Sequence, residues 1–217
     1  MPPAPLKLTH ERRLVRCGHD VVAGLDEVGR GPLAGPVVAA AVVLDPRRVP
    51  KGLADSKQLT AERREELFLE ILATASVGIA CLSAATIDRI NIRQASLGAM
   101  CRALDALPCR PDAALVDGND APPLACPAHT IIRGDAQVPS IAAASIIAKV
   151  VRDRTMRRLH ALVPAYGFAT NVGYSTAVHL AALRAHGPTA YHRRSFAPVR
   201  LAMRPETDEL APSGLAA

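Results

Sequence analysis

The hydrophobic positions divide the chain into short apolar runs and longer segments of helical spacing. The run Pro36–Asp45 is almost continuously apolar, which is typical of a strand covered on both faces. Shorter runs predict further strands at Val21–Leu25, Val77–Ser83, Ala113–Val116 and Thr130–Arg133. Helical spacing predicts helices at 61–73 with Thr60 as N-cap, Thr86–Leu107, Ile141–Leu162 and Ala177–Ala185. Early strands followed by alternating strands and helices predict an α/β layered domain, with a small helical second lobe after about residue 140.

The two ends of the chain differ in composition from this central part. Residues 1–20 are Pro-rich and charged and predict a loose lead-in, whereas residues 203–217 predict a disordered tail. The folded domain is therefore expected over residues 21–202. Apolar runs stay far below the roughly 20 residues that span a bilayer, and the N-terminus has no apolar core like that of a signal peptide. We expect a cytoplasmic protein with no membrane partner and, lacking a heptad pattern, a monomer.

Composition and charge narrow the class of protein. The 217 residues are 49% hydrophobic and 21% charged, which excludes a largely disordered chain. Lys and Arg number 26 against 20 Asp and Glu, and this surplus of +6 favours a polyanionic partner. Aromatic residues are only 3%, with no Trp, which argues against a protein that stacks the bases of a single strand. The five Cys are scattered without a C-x-x-C pair and argue against a zinc or disulfide framework.

Acidic residues follow three of the predicted strands, at Asp26 and Glu27, at Asp117 and at Asp135. Each of them alone is consistent with a turn or a helix cap. If the three strands are neighbours, however, their ends converge, and carboxylates beside an apolar core repel one another unless a cation lies between them. An oxygen-only site suits Mg²⁺ or Mn²⁺. On a basic chain, such a site suggests metal-assisted attack on a phosphodiester.

Two further segments are candidates for binding a polyanion. Gly29-Arg30-Gly31-Pro32 follows the first acidic pair, and its glycines permit positive φ and leave backbone N–H groups open to a ligand, although a simple tight turn fits equally well. In the predicted helix 141–162, Arg154, Arg157 and Arg158 share one face, which is either solvated or in contact with phosphate.

Five ordered blocks of the sequence resemble bacterial ribonuclease HII over about residues 21–199. The first block is Asp26-Glu27-Val28-Gly29-Arg30-Gly31-Pro32-Leu33-Ala34-Gly35-Pro36-Val37-Val38. The others are Asp55 to Thr60, Val116 to Asn119, Gly134-Asp135 with Ser140 to Arg154, and Gly173-Tyr174 to Ser195-Phe196.

This resemblance implies a ribonuclease H-like fold, with a central mixed five-stranded sheet flanked by helices and a small C-terminal helical portion. It implies cleavage of the RNA strand of RNA/DNA hybrids and incision 5′ of single ribonucleotides in duplex DNA, leaving 3′-hydroxyl and 5′-phosphate ends. It also implies two divalent ions, Mn²⁺ or Mg²⁺, and the following site residues. The catalytic metal ligands are Asp26, Glu27, Asp117 and Asp135; the residues that read the ribose 2′-hydroxyl are Gly29, Arg30 and Gly31, and the substrate-sensing residue is Tyr174.

Two alternatives from other classes remain open at this point. One is a different ribonuclease H-like nuclease, such as a resolvase or an integrase-like enzyme, which substrate preference would reveal. The other is a non-catalytic duplex-binding protein whose acidic residues only form turns and caps, which the absence of metal-dependent hydrolysis would favour.

Overall fold

The computed structural model describes residues 6–203 and places a five-stranded sheet at the centre of the protein. The strand order is β3-β2-β1-β4-β5. The strands β1, β2 and β3 pair antiparallel, whereas β1, β4 and β5 pair parallel, so the sheet is mixed. This confirms the predicted α/β fold with a mixed five-stranded sheet. The strands are β1 (Val22–Val28), β2 (Val37–Leu44), β3 (Ala75–Leu82), β4 (Ala113–Asp117) and β5 (Ala128–Ile131).

Helices cover both faces of the sheet, and the last helices of the chain form a group of their own beside it. In chain order they are α1 (Thr9–Arg16), α2 (Ala61–Thr74), α3 (Ala84–Ile90), α4 (Ile92–Asp105), α5 (Pro139–Leu162), α6 (Phe168–Asn171), α7 (Ala177–His186) and α8 (Ala197–Ala202). The start of α2 is as predicted, because the Thr60 hydroxyl accepts a hydrogen bond from Arg63 N at 3.2 Å. No helix among residues 6–203 is long and apolar enough to cross a bilayer.

Small side chains let helix α5 pack unusually close to the middle of the sheet. Strand β2 is nearly all Val and Ala and is buried, and the alanines at 142–144 of α5 pack against its α5-facing side. At Gly24 on β1, a Cβ atom would lie only 2.2 Å from the carbonyl carbon of Ser140. The first turn of α5 is therefore held directly over β1, two residues before Asp26.

The N-terminal segment differs from the predicted loose lead-in, because residues 9–16 form helix α1. Leu14 joins an apolar cluster with Val22. Glu11 is buried, and its Oε1 atom accepts hydrogen bonds from the backbone N and the hydroxyl of Ser140 at 3.0 and 2.8 Å. Helix α1 thus caps the N-terminus of α5. This long-range contact cannot be predicted from the local composition of the N-terminal segment. Of the predicted tail 203–217, residues 204–217 lie outside the described part of the chain.

Several element boundaries also differ from the sequence prediction. The helix predicted over Thr86–Leu107 is interrupted at Asn91, which has a φ of 65° and whose side chain accepts a hydrogen bond from Gln94 N, capping α4. Strand β1 ends three residues later than predicted, at Val28, so its acidic pair lies inside the strand. Strand β5 ends two residues earlier than predicted, and the 3₁₀ turn Gly134–Ala136 follows it.

The C-terminal helices surround an apolar cluster of their own. This cluster joins the loop before β2 to α5, α6, α7 and α8. The backbone also connects the loop and the C-terminal helices, because Leu33 N donates to Gly173 O at 2.7 Å and Gly35 N donates to Tyr191 O at 2.9 Å. The predicted C-terminal helical portion is thereby fastened to the segment that follows the acidic pair.

Candidate active site

The structure brings the four predicted carboxylates together at one end of the sheet. In the parallel pair of β1 and β4, Leu25 is opposite Val116, and the next residue on each strand is Asp26 and Asp117. The turn after β5 adds Asp135, because the Asp117 Oδ1 atom accepts hydrogen bonds from Gly134 N at 2.7 Å and from Asp135 N at 3.3 Å. The adjacency of the three strands, which the sequence left conditional, is therefore present.

This acidic cluster (Asp26, Glu27, Asp117 and Asp135) carries more negative charge than its surroundings favour. Asp26 is only 6% exposed. Burial, followed by the charges of Glu27, Asp117 and Asp135, raises the pKa of Asp26 well above its usual range, although the Ser145 hydroxyl beside it acts in the opposite direction. Burial also raises the pKa of Glu27 and of Asp135, in both cases with a further contribution from Asp117.

Two cations lie at the edge of the acidic cluster. Arg30 Nη1 is 3.3 Å from Glu27 Oε1, and this contact partly opposes the rise in the pKa of Glu27. Lys57 Nζ is 3.5 Å from Asp135 Oδ2 and 3.8 Å from Asp55 Oδ1. Burial lowers the pKa of Lys57, but the surrounding carboxylates outweigh burial and raise it overall. Lys57 has no role assigned from the sequence, although it lies in the block Asp55 to Thr60.

The chemistry of the acidic cluster fits a hard divalent cation. Its ligating atoms are all carboxylate oxygens, which Mg²⁺ and Mn²⁺ prefer. Neighbouring carboxylates contribute to the raised pKa of Asp26, Glu27 and Asp135, so a cation between them would relieve this repulsion. Within residues 6–203, no three Asp, Glu, His or Cys side chains are already arranged as a metal cage. Glu27 and Asp117 also line a cleft of about 70 Å³ against helix α4.

The loop Gly29–Gly31 follows the acidic pair after one residue, Val28, and is shaped by its glycines. Gly29 has a φ of 95°, and a Cβ atom there would lie 2.2 Å from Arg152 Nε, so both the backbone and the packing require glycine. Above Gly31 the nearest atom is Tyr174 Cε1, 3.5 Å from the position of a Cβ. The backbone hydrogen bonds of residues 6–203 include none donated by Arg30 or Gly31. Their N–H groups are therefore free to meet a ligand.

Two buried arginines bond to the backbone of this loop and of the residues that follow it. Arg193 is fully buried and donates to Gly29 O at 2.5 Å, to Arg30 O at 2.9 Å and to Gly35 O at 3.0 Å. Arg152 is 1% exposed, and its guanidinium likewise donates to backbone carbonyls, those of Ala34, Pro36 and Val172. Burial, with a smaller contribution from Arg152, lowers the pKa of Arg193 to about 9. The carbonyls of the loop thus face inward onto a fixed positive charge.

Sequence reasoning missed this role of the two arginines because arginine is usually exposed. Two of the three surface arginines that it singled out are engaged elsewhere. Arg154 and Arg157 both bond to Glu65 of α2, and the Arg154 guanidinium lies 4.5 Å from the centre of the Phe68 ring. A phosphate contact by this helix face stays a prediction.

Tyr174 lies at the surface beside the loop, with 45% of its area exposed. Its backbone is firmly bonded: its N donates to Asn171 O at 2.9 Å, and its carbonyl accepts from Thr176 N and from the His179 Nδ1 atom, each at 2.8 Å. The ring is thus presented to solvent from a fixed backbone, next to the loop Gly29–Gly31. All eight sequence-predicted site residues therefore lie around one end of the sheet.

Comparison with known proteins gives a consistent match. The family model described as Ribonuclease HII matches residues 23–199. Ribonuclease HII of Xanthobacter autotrophicus is 62% identical over 195 residues, which are 90% of this chain and 78% of that protein. Ribonuclease HII of Rhizobium johnstonii is 58% identical over 202 residues, which are 92% of this chain and 88% of that protein.

Solved structures with the same fold are also similar to this one. Ribonuclease H2 from Pyrococcus horikoshii superimposes with a TM-score of 0.72 at 28% identity, covering 84% of this chain and 96% of that chain. Bst-RNase HIII, solved in complex with Mn²⁺, superimposes with a TM-score of 0.66 at 24% identity, covering 84% of this chain and 68% of that chain. The second likeness concerns the fold alone.

Proposed function

Because the chain belongs to the ribonuclease HII family and is thus a hydrolase of phosphodiester bonds, we propose that it incises duplex DNA 5′ of a single ribonucleotide and cleaves the RNA strand of RNA/DNA hybrids. The products are a 3′-hydroxyl and a 5′-phosphate. The observation that carries the proposal is the position of the acidic cluster directly beside the loop Gly29–Gly31, with Tyr174 above that loop. A site for phosphodiester hydrolysis and a site that can read a sugar are thereby adjacent.

The acidic cluster is the proposed metal site of the enzyme. Asp26, Glu27, Asp117 and Asp135 would hold two divalent ions, Mn²⁺ or Mg²⁺, because hard cations of this kind prefer carboxylate oxygens. When bound, such ions supply a water of lowered pKa and charge stabilisation for the leaving 3′ oxygen. The chain's own contribution is to hold four carboxylates close together, with Asp26 and Asp135 buried and Glu27 and Asp117 half-buried, where their charges attract cations strongly.

The loop and the tyrosine are the proposed readers of the ribonucleotide. The free N–H groups of Arg30 and Gly31 are placed to hydrogen-bond a ribose 2′-hydroxyl, which distinguishes RNA from DNA. Against deoxyribose such a group stays unpaired, at a cost of about 1–3 kcal/mol for each group. Arg193 fixes the loop through its carbonyls, and the exposed Tyr174 ring is placed to pack against the neighbouring sugar.

The test is a cleavage assay on a DNA duplex with one embedded ribonucleotide, with the cut site mapped and with an all-DNA duplex of the same sequence as the control. We expect a cut 5′ of the ribonucleotide that needs Mn²⁺ or Mg²⁺. Undiminished cleavage in excess chelator would contradict the metal site, and equal cleavage of the all-DNA duplex would contradict the reading of the 2′-hydroxyl.

The same assay separates the alternatives. A resolvase or integrase-like activity would cut DNA without a ribonucleotide, and a non-catalytic binding protein would bind the duplex without metal-dependent hydrolysis. A monomeric state and a cytoplasmic location stay predictions, which size-exclusion chromatography with light scattering and cell fractionation can check.

A further inference from the structure

Two buried histidines form a direct hydrogen bond beneath Tyr174. His179, on α7, and His192, in the loop before α8, are 0% and 2% exposed, and their Nε2 atoms are 3.1 Å apart. Each ring is also bonded at its other nitrogen. His179 Nδ1 is 2.8 Å from the carbonyl oxygen of Tyr174, and His192 Nδ1 is 3.0 Å from the backbone N of Thr189.

The backbone partners fix which nitrogen of each ring carries the proton. A carbonyl can only accept, so His179 Nδ1 must carry a proton and its Nε2 must accept. A backbone N–H can only donate, so His192 Nδ1 must accept and its Nε2 must carry the proton. The Nε2–Nε2 bond then has one donor and one acceptor, as it requires. The hydrogen bonds therefore run in one direction, from Thr189 N–H through His192 and His179 to Tyr174 C=O.

The surroundings keep both rings neutral, as this arrangement requires. The pair is packed against the aromatic rings of Tyr166 and Phe168. Burial lowers the pKa of His179, and burial together with the charge of His179 lowers the pKa of His192 to about 4. A second proton on His179 would bring two N–H groups face to face at the Nε2–Nε2 contact. A second proton on His192 would oppose the backbone N–H of Thr189, with only the Thr189 hydroxyl, 2.9 Å from Nδ1, able to accept it.

We propose that His179 and His192 are positioning residues for substrate reading, acting as a hydrogen-bond relay of fixed direction that holds the backbone of Tyr174 beside the loop Gly29–Gly31. The inference rests on the proposed role of Tyr174 in substrate binding. The relay ends at the Tyr174 carbonyl, which Thr176 N also bonds. His179 thus supplies one of the two hydrogen bonds that fix this carbonyl and hence the direction in which the ring projects.

Arg193, the chain neighbour of His192, connects the relay to the loop Gly29–Gly31. Arg193 donates to the carbonyls of Gly29 and Arg30, so consecutive residues fasten the tyrosine and the loop. The segment is itself anchored, because Arg193 N donates to Leu33 O at 2.8 Å and Ala34 forms a β-bridge with His192. The separation between the Tyr174 ring and Gly31 is thereby set by one short stretch of chain.

The direction of the hydrogen bonds in the relay can be measured without an activity assay. In protein labelled with ¹⁵N-histidine, long-range ¹H–¹⁵N correlation spectra at neutral pH identify the tautomer of each ring, and the spectra of H179N and H192N assign the two signals. We expect the Nδ1–H tautomer at His179 and the Nε2–H tautomer at His192. An Nε2–H tautomer at His179, or a doubly protonated ring, would overturn the relay.

Its effect on the reaction is tested by a double-mutant cycle with kcat/KM on the single-ribonucleotide duplex. H179L removes the donor to Tyr174, and we expect a loss of about tenfold, the effect of one hydrogen bond. In a Y174A background the same change should cause no further loss, because His179 acts through Tyr174. H179N, whose amide can donate from the Nδ1 position, should recover most of the activity.

Each other outcome has a distinct meaning. Equal losses for H179L in both backgrounds, or no recovery in H179N, would overturn the positioning role. If Y174A itself cleaves normally, both the positioning role and the proposed role of Tyr174 fail, and the spectra alone then decide the direction of the relay. If H179L does not fold, H179Q replaces it, because its amide lies at the Nε2 position and cannot reach Tyr174 O.

Discussion

Replacing Asp26 by asparagine should stabilise the metal-free protein while abolishing cleavage. Asp26 is 6% exposed and faces the three other carboxylates of the acidic cluster, all of which raise its pKa after burial has done so. Because water screens this site poorly, its charge costs folding free energy at pH 7. Asparagine has the same size and leaves no cavity, and its amide can donate to the remaining carboxylates.

The expected gain from D26N is about 1–2 kcal/mol, within the range of single stabilising substitutions. For a chain of this size, that corresponds to a rise in Tm of about 2–8 °C. The assay is thermal unfolding in excess chelator at pH 7, with D105N as the matched control, since Asp105 is an exposed residue at the end of α4. The control should change Tm little.

Metal addition provides the second half of this test. Mn²⁺ should raise the Tm of the wild-type protein, because a ligand that binds only the folded state stabilises it, and it should raise the Tm of D26N less. A D26N protein that is less stable than wild type in chelator, or that gains as much from Mn²⁺, would refute the account of the acidic cluster as a repulsive, metal-accepting site.

Three further predictions concern the acidic cluster, the support of the loop Gly29–Gly31 and the contact between α5 and β1. Burial raises the pKa of Asp26, Glu27 and Asp135 above their unfolded values, so the folded state takes up protons at these carboxylates at a higher pH than the unfolded state does. Denaturant titrations in chelator should therefore show these groups adding to the free energy of unfolding as pH falls from 7 through the raised pKa values. A steady loss of stability over that range would contradict this. R193K keeps the charge but cannot reach the carbonyls that the guanidinium bonds. The variant should therefore lose about 2–4 kcal/mol of stability in urea unfolding and cleave the single-ribonucleotide duplex at least tenfold more slowly. Wild-type values for both would argue against the buried support of the loop. G24A places a Cβ atom 2.2 Å from the carbonyl carbon of Ser140 and should cost about 1–3 kcal/mol of stability by forcing α5 away from β1. The control in the same unfolding assay is G98A, which should be tolerated because a Cβ there meets only Leu82 Cδ1, at 3.5 Å.

The parts of the fold that were predictable are those written locally in the sequence. The apolar run of β2 and the Thr60 cap of α2 were confirmed, because burial on both faces and side-chain capping each leave a short-range pattern. The single helix predicted over Thr86–Leu107 was wrong, since Asn91 can adopt a positive φ and cap the next helix. Helix α1 was missed because what holds it, the contact of Glu11 with Ser140, spans 129 residues.

The candidate site shows the same division. Its eight residues were named from motifs, and their types alone pointed to oxygen ligands for a metal and to a loop with exposed N–H groups. The supports of the site were not predictable in this way. Arg193 reads as a surface cation and His179 as an ordinary helical residue, because a side chain's burial and its distant backbone partners are not encoded by its neighbours in the chain.

The sequence by itself determined the inventory of this protein: which segments form strands, which residues can ligate a divalent cation, and where glycine frees the backbone. Only the tertiary structure decided what these residues face. The parallel pairing of β1 with β4 brings Asp26 beside Asp117. The fold also places His192 beneath Tyr174 and Arg193 beneath the loop Gly29–Gly31. The physical reason is that local propensity acts over a few residues, whereas charge repulsion, desolvation and hydrogen-bond direction depend on atoms that only folding brings within a few ångströms of one another.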